Sequence, residues 1–234
     1  MTVHGQLLHM LKTVAEALDG DLRDKLVFVG GCTTALHITD PVTFEDVRMT
    51  NDVDLIVDLV GYSEWAKLQA QLIDRGFTAS PEDDVICRMR LGELIVDFMP
   101  DDETILGFSN RWYAKGIETA IPCALTAELQ INHLTSPLFI ATKLEAYIGR
   151  GNNDPLGSHD LEDVVIVIDG RVELLAEVRN CDENVRHFIA SQLRAFQDHV
   201  DFDTFLRGNI QGTYGRVDIV RGRIGAIASC DSIQ

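Results

Sequence analysis

No apolar run in this 234-residue chain approaches the ~18 residues that a membrane-spanning helix requires, so no transmembrane segment is expected. The opening stretch, MTVHGQLLHMLK, lacks the basic end, long apolar core and small-residue cleavage site of a secretory signal. Cysteine is sparse and scattered. Cys32, Cys87, Cys123, Cys181 and Cys230 form no Cys-x-x-Cys pair, and an odd number cannot pair completely. A reduced, cytoplasmic protein is therefore expected, rather than a disulfide framework or a zinc ribbon. Positive charge is also short, with 20 Lys and Arg against 37 Asp and Glu for a formal charge of −17. Residues 1–120 carry 10 basic and 21 acidic side chains and the remainder 10 and 16, so neither half is a basic, phosphate-coating module. The chain has no low-complexity tract, internal repeat, Walker A loop or Gly-x-Gly-x-x-Gly. Its His residues show no metal-ligand spacing, and no Ser–His–Asp arrangement can be argued.

The apolar content, 46%, is that of an ordinary globular chain long enough for one large domain or two small ones. Leu7, Leu8, Leu11, Val14 and Leu18 recur at helical spacing and predict a helix over 5–19. LVFV at 26–29 reads as a short buried strand, stopped by Gly30-Gly31, after which CTTALHI begins a helical turn. DVDLIVDLV at 52–60 is strand-prone, and 63–75 is helical with Trp65, Leu68, Leu72 and Ile73 as its apolar members. Residues 85–91 and 94–98 predict a hairpin turning at Gly92-Glu93. After Pro122 the pattern changes. A strand over 129–134 leads to Ser136-Pro137, a helix start, and helices are expected at 137–149, 159–168, 171–180 and 183–207. The last twenty residues read either as a strand pair or as a tail. The expected architecture is α/β (α+β): a mixed sheet with flanking helices over 1–125, then a mainly helical region over 126–234 that completes a cleft.

Three carboxylates stand out. Asp52 and Asp54 are two apart on a strand and so share a face, and Asp97 lies in another apolar strand, LIVDF. Acids in such strands are costly to bury without compensation. A divalent cation supplies it, Mg²⁺ favouring oxygen ligands; an edge strand whose acids face water explains the same pattern. Gly30-Gly31 sits between strand and helix, where backbone amides can approach an anion, although a tight turn needs the same residues. Arg88 and Arg90 share a strand face, suited to an acceptor phosphate or to pairing with Glu93 or another acid. Phe108, Trp112 and Tyr113 suit base stacking or packing equally.

Taken together, VGGCTTALHITD, VRMTNDVDLIVD and LIVDFMP resemble the nucleotidyltransferase superfamily related to DNA polymerase β. The resemblance is closer to the AbiEii-like nucleotidyltransferases, which include toxins of bacterial toxin–antitoxin systems. Thr50-Asn51-Asp52-Val53-Asp54-Leu55 matches their Thr-x-Asp-[Val/Ile]-Asp-Leu stretch. Lys143 and Arg150 fit their helical Lys and downstream Arg, and His159-Asp160-Leu161-Glu162-Asp163 resembles their Lys-Asp-x-x-Asp segment. The likeness covers about residues 26–165. It departs at Cys32, where many relatives have Ser and Thr33 offers the hydroxyl instead, and at His159, which replaces a basic residue.

The resemblance implies a nucleotidyltransferase-like fold and Mg²⁺- or Mn²⁺-dependent transfer of a nucleotide from an NTP. Asp52, Asp54 and Asp97 would hold the metals, with Asp97 as base or ligand. Gly30, Gly31, Cys32 and Thr33 would cradle the triphosphate, Gly31 lying against it with the amides of Cys32 and Thr33 directed at it. Lys143 and Arg150 would offset charge on the phosphates. Asp160 and Asp163 follow Ser158 at a helix start, where acids are stabilising, and that reading is preferred to a catalytic one. The implied acceptor is RNA, tRNA among the candidates, with an antitoxin as a further partner. Two alternatives stay open: an acceptor that is a small hydroxylated molecule, such as an aminoglycoside or lincosamide, and a non-catalytic nucleotide-binding or interaction protein of the same fold.

Overall fold

Short apolar stretches between residues 26 and 133 assemble into a six-stranded mixed sheet, ordered Arg88–Leu91, Leu94–Pro100, Asp52–Val57, Leu26–Val29, Gln130–His133, Ile121–Ala124. The fold is that of a computed structural model, which describes every residue except 60, 82, 84, 107–108, 213–214 and 233–234. In chain order the elements are α1 (Val3–Ala17), α2 (Gly20–Arg23), β1 (Leu26–Val29), a 3-10 turn (Gly31–Thr33) and α3 (Thr34–His37). A second 3-10 turn (Pro41–Thr43), β2 (Asp52–Val57), α4 (Gly61–Asp74), β3 (Arg88–Leu91) and β4 (Leu94–Pro100) follow. Next come α5 (Glu103–Leu106), α6 (Tyr113–Glu118), β5 (Ile121–Ala124) and β6 (Gln130–His133). The remainder is helical: α7 (Ser136–Arg150), α8 (His159–Gly170), α9 (Leu174–Asn180), α10 (Glu183–Gln197), α11 (Phe202–Asn209) and α12 (Arg216–Ala228). Among the described residues no helix is long and apolar enough to cross a membrane.

The chain divides into two compact units, Met1–Ala35 with Met49–Thr135, and Leu36–Arg48 with Ser136–Gln234. The first holds the sheet. Leu26, Val27, Phe28 and Val29 are all buried, as a central strand requires. α1 buries Leu7, Leu11 and Val14, an i, i+4, i+7 stripe, and starts where the Thr2 side chain accepts a hydrogen bond from the Gly5 amide. α4 buries Trp65, Leu68 and Leu72 but leaves Ile73 54% exposed, because a residue adjacent to Leu72 points about 100° away from it. The hairpin turns at Gly92-Glu93, where Gly92 takes a φ of +59°. β5 is absent from the sequence expectation because it carries Pro122, which forfeits an amide donor and is tolerated at this sheet edge. The β5–β6 hairpin spans residue 125, the position expected to divide the chain, and the first unit runs on to Thr135.

The second unit is built around α8. LEDVVIVID is buried on nearly every side, and a helix apolar all round belongs in an interior. Ser158 caps it, accepting from the Leu161 amide. Residues 36–48 join this unit through the amides of Thr39 and Asp40, which donate to the Gly170 carbonyl at 2.8 Å each. The single helix expected over 183–207 is two helices, α10 and α11. Phe202 and Phe205 fold back to meet Phe196 edge-on, at 4.9 and 5.3 Å between ring centroids; a straight helix would place residues six apart about 9 Å from each other along its axis. The last twenty residues are neither a strand pair nor a tail but mostly α12, which buries Val220, Ile224, Ile227 and Ala228 at i, i+4, i+7 and i+8.

Candidate active site

Strand pairing brings together acids separated by up to 45 positions. β2 lies between β1 and β4 and runs parallel to β4, with Asp54 beside Asp97 and Asp52 beside Ile95. Neighbours across a strand pair share a face, as do alternate residues along a strand. Asp52, Asp54 and Asp97 therefore project from one side of the sheet, and one carboxylate oxygen from each lies within 4.8 Å of the other two. Asp97 is buried; Asp52 and Asp54 are half-buried. The donor set is all carboxylate, which suits a hard divalent cation. Two oxygens on one Mg²⁺ can be at most about 4.2 Å apart, twice a bond of ~2.1 Å, so a small side-chain adjustment closes the cluster around an ion.

The glycine turn meets the same acids for a topological reason. β1 runs antiparallel to β2 with Val29 opposite Asp54, so the chain leaves β1 beside that carboxylate. Gly30 has a φ of +73°, and a Cβ placed there would lie 1.7 Å from Asp54 Oδ2. Glycine is required twice over, by the backbone and by the close approach. Gly31, the glycine expected to lie against the triphosphate, has no positive φ; that backbone conformation belongs to Gly30.

Cys32 and Thr33 also turn inward. The Cys32 side chain is fully buried, its thiol 3.5 Å from the Leu7 carbonyl. Burial first, then the nearby Asp54 and Asp52, push that thiol far up, away from thiolate formation. Burial and Asp97 likewise push Cys87 up to about 12. Thr33 donates both its amide and its hydroxyl to the Gly30 carbonyl, at 3.2 and 2.9 Å. It supports the turn instead of offering the phosphate-facing hydroxyl and amide expected of it. By helix geometry the amides of Gly31 and Cys32 open the 3-10 turn and are the ones its internal bonds leave over.

Two partners of the acids were not assigned from sequence. Thr50 Oγ1 donates a short hydrogen bond to Asp52 Oδ1. Arg88 stands directly across from Asp97 on antiparallel β3 and β4. Its Nε and Nη2 reach Asp97 Oδ1 and Oδ2 at 2.8 and 2.7 Å. This two-toothed bond holds the guanidinium firmly charged. Arg90 instead pairs with Asp83 at 2.7 Å, and Glu93 sits in the turn. Tyr113 Oη lies 3.4 Å from Met99 Sδ, Trp112 is half-buried, and Phe108 lies outside the described residues.

Lys143 and Arg150 belong to the second unit. Lys143 is only 7% exposed, and its Nζ lies 3.3 Å from Asp160 and 2.6 Å from Asp163. Arg150 grips Asp160 through two nitrogens at 2.9 Å, while Arg48 reaches Asp163 at 3.2 Å. Asp160 and Asp163 are thus buried counter-ions, not solvated acids at a helix start, and the i, i+3 spacing on α8 is what lets both reach Lys143. His159 is exposed and pairs with Glu162 at 2.8 Å.

A scan against protein-family models and a search of curated proteins found no match to this chain.

Proposed function

We propose that the chain is a Mg²⁺- or Mn²⁺-dependent nucleotidyltransferase that moves a nucleotide from an NTP to an acceptor hydroxyl, in keeping with its resemblance to the AbiEii-like group. One observation carries the reading: Asp52, Asp54 and Asp97 converge within 4.8 Å beside a turn in which Gly30 leaves room for the Asp54 carboxylate. In the reaction the acceptor oxygen attacks the α-phosphorus and the bond to pyrophosphate breaks. Asp52, Asp54 and Asp97 would hold the divalent cations, which stabilise attacking and leaving oxygens when bound. The role of the Gly30-Gly31 turn is to let backbone amides approach the triphosphate without a side chain in the way. Asp97, fixed by Arg88, is a ligand or an orienting acceptor at the hydroxyl.

RNA is the leading acceptor. The −17 charge favours a second reading, a small cationic hydroxylated compound drawn to acidic walls. The test is incubation with each α-labelled NTP, Mg²⁺, and either total RNA or a panel of aminoglycosides and lincosamides. Labelled product is expected from wild type and none from Asp54→Asn at unchanged folding. Absence of product with every NTP and acceptor, together with no Mn²⁺ binding, overturns the reading.

A further inference from the structure

The acid cluster carries a cation of its own. Asp52, Asp54 and Asp97 bring three like charges within 4.8 Å, and the Arg88 guanidinium is bonded to both oxygens of Asp97, at 2.8 and 2.7 Å. Arg88 comes from edge strand β3, and its side chain keeps 26% of its exposure while that of Asp97 keeps 11%. The planar fork of arginine matches a carboxylate edge to edge, so it fixes the plane of the carboxylate as well as its position. Each carboxylate oxygen has a second lone pair, so the directions left for another ligand on Asp97 are those Arg88 dictates. Its positive charge also opposes any cation that the same three acids attract.

We propose that Arg88 is a positioning residue and resident counter-cation of this cluster. It sets the orientation in which Asp97 meets a divalent cation, and it lowers the affinity of the three acids for that cation. The inference rests on the reading of Asp52, Asp54 and Asp97 as a cation site. It differs from an ordinary cross-strand salt bridge in a measurable way. A bridge that serves only the hairpin changes stability alone, whereas a counter-cation changes metal affinity, and does so through charge.

The experiment is titration of the full chain with Mn²⁺, reading free Mn²⁺ by electron paramagnetic resonance, for wild type, Arg88→Met, Arg88→Gln, Arg88→Lys and Asp52→Asn. Removing one positive charge a few ångströms from a divalent ion should tighten binding about tenfold in the Met and Gln variants. The Lys variant keeps the charge but loses the planar fork, so it should bind Mn²⁺ no more tightly than wild type. Mn²⁺ should raise the melting temperature of the neutral variants more than that of wild type, since it binds their folded state more tightly. Arg88→Gln retains a hydrogen-bonding side chain and serves if the Met variant does not fold. Neutral variants that bind Mn²⁺ no more tightly than wild type overturn the inference. So does a Lys variant as tight as the neutral ones. If wild type and Asp52→Asn both fail to bind Mn²⁺, the cation-site reading itself fails, an outcome distinct from a wild type that binds and ignores Arg88.

Discussion

Replacing Gly30 with alanine puts the geometry of the acid cluster to a quantitative test. The added Cβ would sit 1.7 Å from Asp54 Oδ2, 2.6 Å from its Cγ and 2.8 Å from its Cβ, on a backbone with φ +73°. That backbone, φ +73° with ψ −172°, is a region essentially reserved for glycine and alone costs an L-residue about 1–3 kcal/mol. An ordinary contact needs about 3.5 Å, so the carboxylate must move by roughly 1.5–2 Å, and forcing it off its rotamer adds about 0.5–1.5 kcal/mol. The sum, about 1.5–4.5 kcal/mol, corresponds to a fall in Tm on the order of 3–18 °C for a chain of this size. Function should suffer more. A misplacement of ~1 Å at a reacting centre can cost about 10²-fold, so nucleotide transfer should fall at least that far, with weaker Mn²⁺ binding.

Gly92→Ala is the matched control, because Gly92 also has a positive φ (+59°) but nothing within 4 Å of an added Cβ. It should lose only the backbone component and leave Mn²⁺ binding untouched. In the double variant Gly30→Ala/Asp54→Ala the collisions with Oδ2 and Cγ disappear and only the 2.8 Å approach of the two Cβ atoms remains, so the two substitutions should couple favourably by about 1 kcal/mol in a denaturation cycle. A Gly30→Ala protein as stable and as Mn²⁺-competent as Gly92→Ala would refute the reasoning.

Two further outcomes are expected. Lys143→Met leaves Asp160 and Asp163 buried without the ammonium that bridges them and should cost about 3–5 kcal/mol in urea unfolding. Removing the acid as well, in Lys143→Met/Asp163→Leu, should recover part of the loss, and a neutral single variant would show the network to be dispensable. RNA as acceptor should bind with an affinity that falls steeply with salt, with a logarithmic slope near −0.7 per phosphate contacted on single strands; a flat response, with label only on a small hydroxylated compound, transfers the acceptor assignment to that class.

Most of the sheet is readable because its strands are punctuated. LVFV ends at Gly30-Gly31 and the hairpin turns at Gly92-Glu93, both positions where the chain takes up conformations that glycine favours. The hairpin register also fixes the partner of the third acid. A two-residue turn at 92–93 pairs Leu91 with Leu94 and, counting outward, Arg88 with Asp97, so the partner of the third acid follows from register alone. The parallel pairing of β2 with β4, which sets Asp54 beside Asp97, does not follow from local pattern, since any register with both acids on one face fits the alternation. α12 is not legible in the sequence because Gly222 and Gly225 lower helix propensity, while Val220, Ile224 and Ile227 supply the packing that overrides it. Burial of Asp160 and Asp163 was hidden by their position. Acids in the first turn of a helix are ordinarily solvated, and only the location of Lys143 on α7 reveals why these are not.

The two buried charge groups are built on opposite plans, and the contrast bears on function. In the second unit the signs alternate: Asp160 touches Lys143 and Arg150, and Asp163 touches Lys143 and Arg48. Every acid there lies against cations of the chain's own making, the arrangement by which a buried ionic network offsets its desolvation cost. In the first unit, acids face acids. β2 and β4 carry Asp54 and Asp97 side by side, Asp52 lies on the same face, and the guanidinium of Arg88 grips Asp97. Mutual repulsion of this kind is unfavourable to the fold. The chain nonetheless builds it on its central strand and keeps beside it a glycine in a conformation that other residues rarely adopt. Local rules broken together at one place mark a functional site more often than a structural one. A ligand of high positive charge relieves the repulsion, and transfer between polyphosphate and hydroxyl is chemistry that such a ligand serves.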